Sequence, residues 1–100
     1  MSKVKIEVMP WITTECGYNR PGNLMIEEEI KESDTIGEVL RRISRADLRL
    51  AECLFDPTTQ GIHGYISIIL NNRLISQLRA PGVILKAGDV IRLLPTIEGG

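Results

Sequence analysis

A chain of 100 residues with 43% hydrophobic and 25% charged side chains has the composition of a single soluble globular domain. At this length it buries roughly 60–70% of its unfolded surface, too little for two separate cores. Twelve basic residues stand against thirteen acidic ones, a net charge of −1, without the basic excess of a domain that coats nucleic acid. No apolar run reaches the roughly 18 residues that a membrane helix needs. The N-terminus alternates charged and apolar residues from Lys3 onward, unlike a signal peptide, so the expected location is cytoplasmic. Cys16 and Cys53 are too far apart to form a zinc pattern. A reducing compartment disfavours a disulfide between them.

Lys3 to Met9 alternates with period two, which predicts a half-buried strand with Val4, Ile6 and Val8 facing the core. Pro10 disrupts that ladder. Thr13 to Asn23 is rich in turn residues. Leu24 to Ile30 predicts a second strand, with Leu24, Ile26 and Ile30 on one face and Glu28 interrupting it. An antiparallel hairpin with the first strand is the economical connection.

Thr35-Ile36-Gly37-Glu38 is a capping box, and Ile36, Val39, Leu40, Ile43 and Leu50 form one helical stripe after it. The spacing predicts a helix from Ile36 to about Leu50. Its other face carries Arg41, Arg42, Arg45 and Arg49. Two readings apply, an anion or RNA surface and a solvated helix face. The second is the simpler one, because no aromatic residue interleaves.

Phe55 to Gly64 predicts a loop. Tyr65 to Leu70 is apolar on both faces, as expected for an interior strand. Asn71-Asn72 predicts a turn and Arg73 to Leu78 a short return strand. Ala87-Gly88-Asp89 predicts a further turn, Val90 to Leu94 the last strand, and Pro95 its end. A helix with one apolar stripe covers one face of a mixed sheet, which gives an α+β domain. The last strand then has room beside the first.

Residues for catalysis are scarce. There is no Gly-rich phosphate loop, Cys-x-x-Cys or Gly-x-Ser-x-Gly. His63, the only histidine, reads as a loop residue, and Cys53 as a small buried hydrophobe. Strand alternation splits Glu27, Glu28 and Glu29 between faces, against a metal site. Trp11 reads as a cover at a strand end or as a recognition aromatic. The chemically distinctive feature is the terminal Gly99-Gly100. It has no Cβ to block a narrow slot, adopts almost any backbone angle, and presents an unhindered carboxylate. Five residues after Pro95 extend about 17 Å.

The run from Leu85 to Gly100, LKAGDVIRLLPTIEGG, resembles the C-terminus of the MoaD/ThiS sulfur carriers: a leucine, a Gly-Asp turn, an apolar strand, a proline and a terminal Gly-Gly. Ser33-Asp34-Thr35-Ile36 resembles the strand-to-helix junction of ubiquitin. The resemblance implies the ubiquitin-like β-grasp fold, with a mixed sheet of four to five strands packed on one main helix. Residues 1–95 would be the domain and 96–100 a flexible tail. Thr96 stands where a second proline is common in MoaD, and Glu98 where a small residue is usual.

The resemblance further implies a carrier, not an enzyme. An E1-like adenylyltransferase of the MoeB/ThiF type would adenylate the Gly100 carboxylate, and sulfur would then convert it to a thiocarboxylate. Gly99 would give access. The chain would bind no cofactor itself, ATP and Mg being held by the partner. The expected acceptor is the large subunit of a molybdopterin (or tungsten-pterin) synthase. Thiamine or tRNA thiolation, protein modification, and a ubiquitin-like module that is never activated are the alternatives. Period two places Met9, Arg92 and Leu94 on the sheet face away from the helix, as the expected partner patch.

Overall fold

The computed structural model describes residues 2–15, 17 and 22–96. Five strands form one mixed sheet: β1 (Ser2–Val8), β2 (Leu24–Ile30), β3 (Ile66–Leu70), β4 (Arg73–Ile75) and β5 (Val90–Pro95), in the order β2-β1-β5-β3-β4. β1 and β2 make the expected antiparallel hairpin, and β5 lies parallel to β1 in the centre. Among the described residues three α-helices accompany the sheet: α1 (Pro10–Glu15), α2 (Ile36–Ala46) and α3 (Leu48–Leu54). This is the β-grasp architecture.

Alternation sets the two faces of the sheet. Val4, Ile6, Val8, Ile66, Ile68, Ile91 and Leu93 are all buried, and they pack with Ile36, Val39, Leu40 and Ile43 of α2. Burying a side chain of this size contributes about 1.5–3 kcal/mol. The capping box forms as expected. The Thr35 hydroxyl accepts from the Glu38 amide at 3.2 Å, and the Glu38 carboxylate accepts from the Thr35 amide at 3.1 Å.

Glu28, which interrupts the apolar face of β2, has a partner. Arg42 of α2 contacts its carboxylate at 3.0 Å and the buried Asp34 carboxylate at 2.8 Å. Asp34 also accepts from the Lys31 amide at 2.8 Å. This half-buried trio ties helix to strand. Arg42→Ala leaves Asp34 short of its counter-charge and is expected to cost about 1–3 kcal/mol in urea unfolding.

Three expectations need correction. The single helix to Leu50 is two helices. Asp47 is extended (φ −143°, ψ 105°) and its carboxylate accepts from the Arg49 amide, so it ends α2 and caps α3. The stripe continues across the break, which hides it. The segment after Pro10 begins with a helix, because proline's fixed φ and missing N–H suit a first helical position. Ile12 and Thr13 of α1 are buried. Finally, the Cys53 sulfur is in a disulfide and not a free thiol. The compartment argument bears on whether such a bond persists, not on whether the fold accommodates it. Cys16 lies outside the described residues.

The Gly-Asp turn anchors the start of β5. Gly88 has φ +87°, a conformation that suits glycine, and its amide donates to the Lys3 carbonyl at 2.9 Å. The Asp89 carboxylate accepts from the Lys86 amide and from the Asn71 side chain, each at 2.8 Å. Asn71 in turn accepts from the Val90 amide at 2.9 Å. Two turns are thereby locked together beneath the strand that leads to the C-terminus.

Candidate functional site

β5 runs through the middle of the sheet, so the chain leaves it from a fixed point. Pro95 pairs with Ile66, and Thr96 continues the contact. The Thr96 amide donates to the Tyr65 carbonyl at 2.7 Å. Its hydroxyl lies 3.0 Å from the Ser67 hydroxyl and donates to the Gly64 carbonyl at 3.4 Å. A proline at 96 would lack the amide donor. The departure from the MoaD pattern therefore gives the chain a backbone hydrogen bond at Thr96, one residue beyond Pro95. Thr96→Pro is expected to lose about 0.5–1.5 kcal/mol in chemical denaturation, whereas Thr96→Val, which keeps the amide, should lose less. Gly99 and Gly100 lie outside the described residues, as do Ile97 and Glu98.

Aromatic side chains stand beside the exit. Trp11 packs edge-on against Tyr65 with ring centres 5.6 Å apart, and His63 stacks on the same ring at 4.9 Å. The Tyr65 hydroxyl donates to the Cys53 carbonyl at 2.9 Å. Trp11 is 49% exposed, so it covers a ring at the surface rather than the core.

The sheet face away from α2 carries one continuous row. Cross-strand pairing aligns Met25, Glu7, Arg92, Ile69 and Leu74. Glu7 meets Arg92 at 2.6 Å, a charge contact off the line of a hydrogen bond, and accepts from the Asn23 side chain at 2.6 Å. Arg92 and Leu94 share this face. Met9 follows β1 in the same parity, with its amide bonded to the Leu93 carbonyl at 3.0 Å. Met9 and Leu94 are half-buried. The open apolar surface is larger at Leu74 (69% exposed) and Met25 (53%), which the sequence reading did not single out. Their signal was available in the alternation of β2 and of the short β4.

The other candidate residues disperse. Glu27 and Glu29 share the open face, while Glu28 points to Arg42. Arg49 pairs with Asp47 at 3.6 Å, and Arg41 lies over the Phe55 ring. Three of the four helix arginines thus have structural contacts of their own. Among the described residues no group of three or more His, Cys, Asp or Glu could hold a metal ion, and no helix is long and apolar enough to cross a membrane.

Comparison with known proteins agrees with this geometry. No curated protein matches the chain in sequence. Solved structures do match its fold. Small archaeal modifier protein 1 from Haloferax volcanii superposes with a TM-score of 0.73 at 15% identity, covering 97% of this chain and 100% of that one. Its namesake from Methanosarcina acetivorans gives 0.70 at 22% identity, covering 100% and 98%. A protein assigned as molybdopterin converting factor subunit 1 from Pyrococcus furiosus gives 0.66 at 21% identity, covering 97% and 100%. The ThiS family model matches residues 19–100, most of the domain together with the C-terminal Gly-Gly. The chain belongs to the ThiS family of ubiquitin-like sulfur carriers.

Proposed function

We propose that the protein is a sulfur carrier whose reacting group is the Gly100 carboxylate. The observation that carries this is the terminal Gly-Gly four residues past a tied strand end, in a chain of the ThiS family. A carboxylate is a poor electrophile. An E1-like partner of the MoeB/ThiF type, holding ATP and Mg, makes it one: a Gly100 oxygen attacks the α-phosphorus and pyrophosphate leaves. Sulfide (HS⁻) from a sulfur donor then adds to the acyl carbon and AMP departs, leaving a thiocarboxylate. The chain supplies the carboxylate and a docking surface; Gly99 keeps the approach narrow. Met9, Arg92 and Leu94, with Leu74 and Met25, form that surface.

The acceptor we favour is the large subunit of a molybdopterin synthase, with this chain as the small subunit. The fold it shares with the Pyrococcus furiosus protein supports that choice. A second reading, protein conjugation through Gly100, draws on the two archaeal modifier proteins. Both need the same adenylate. Incubation with the cognate E1-like enzyme, ATP, Mg and a sulfur donor should raise the intact mass by about 16 Da, as sulfur replaces oxygen. An unchanged mass with active enzyme present would reject the carrier reading.

A further inference from the structure

The helical layer holds a groove that the tail chemistry does not use. It lies between the end of α2, α3 and residues 55–60, with a volume of about 480 Å³. That volume accommodates a few side chains. Arg45 stands on the α2 side. It makes no hydrogen bond or ion pair among the described residues, unlike Arg41, which lies 4.9 Å over the Phe55 ring and donates to the Gln60 carbonyl at 2.8 Å. Ser44 lines the groove with its hydroxyl oxygen buried and unpartnered. Leu48, at the lip, is 74% exposed, and Phe55 adds an aromatic surface beside it.

We propose that this groove docks a peptide segment of a partner protein in which an acidic side chain stands next to an apolar one. Charge complementarity selects the acid: Arg45, which has no ion pair among the described residues, stands at the edge of an apolar patch, where a carboxylate gains more than in open water. Leu48 and Phe55 take the apolar neighbour. Ser44 offers a hydroxyl to the segment's backbone. Glu52 and Asp56 line the far side: a segment with a single acid keeps it at Arg45, whereas a nucleic-acid backbone or an anionic lipid surface spreads its charge over both sides and meets them. The exposure of Leu48 and Arg45 suits a segment laid across the surface rather than an enclosed small molecule.

The consequence is a carrier with two docking faces. The groove belongs to the helices and the row from Met25 to Leu74 to the opposite side of the sheet, so one partner can hold the domain while another works on its C-terminus. This inference does not rest on the tail being activated.

The test is an amide-shift titration of the ¹⁵N-labelled full chain with blocked dipeptides. N-acetyl-Asp-Leu-amide should shift the amides of Ser44, Arg45, Leu48 and Phe55 at millimolar concentration. It should bind about threefold more tightly than the Asn-Leu and Lys-Leu analogues, the size of one exposed ion pair. Arg45→Gln should abolish that preference. Leu48→Ala should weaken all three peptides. Both side chains are exposed, and an unchanged spectrum elsewhere verifies the fold of each variant. Absence of groove shifts, equal affinity for the three peptides, shifts confined to the open sheet face, or an Arg45→Gln variant with the preference intact would each overturn the proposal.

Discussion

Deleting Gly100 is expected to abolish adenylation by the cognate E1-like enzyme while leaving thermal stability unchanged. The deletion moves the terminal carboxylate back by one residue, to Gly99, about 3.5 Å short of its former reach. Among the described residues the hydrogen bonds that close the domain run as far as Thr96, and the unchanged stability is expected from those. An active site that holds ATP in fixed geometry does not follow a nucleophile displaced by that distance, because reacting atoms must approach within about 3–3.5 Å. Gly99→Ala keeps the carboxylate in place and adds one Cβ at the slot. It should slow activation less than the deletion does. The readouts are ATP–pyrophosphate exchange and intact mass. A deletion variant activated at the wild-type rate would remove Gly100 from the mechanism.

The parts of the fold legible in sequence were those with local causes. Thr35 and Glu38 cap a helix through contacts three residues apart, and the alternation of β1 and β5 reports a face directly. The Gly-Asp turn was visible, but its bonds to Lys3 and Asn71 were not, because they join residues far apart in the chain. Asp47 shows the limit from the other side. The apolar stripe predicts a helix through it, and only the backbone shows that its carboxylate turns to cap the next one. In sequence Pro10 signals the ladder it breaks, and the helix it starts shows only in the backbone. In sequence Thr96 is only a departure from a family pattern, and its bonds to Tyr65, Ser67 and Gly64 show only in the fold. The row from Met25 to Leu74 needed the strand order, since it crosses all five strands.

Leu94→Ala is expected to weaken binding to the E1-like partner about tenfold with little change in stability. Leu94 lies on the open face beside Ser67 of β3, half-buried among its neighbours. It is one residue from Pro95 and two from the tied Thr96, so a partner that takes the tail must cover it. A half-buried leucine near the centre of a contact gains most when the remaining water is excluded, and such residues carry a large share of binding energy. Arg92 offers a contrast on the same face. It already contacts Glu7, so a partner acid must compete with that contact, and Arg92→Ala should act more on the salt dependence and the association rate than on the lifetime of the complex. Calorimetry and stopped-flow binding at two ionic strengths separate the two effects. Wild-type affinity in Leu94→Ala, with the fold intact, would move the docking surface away from the end of β5.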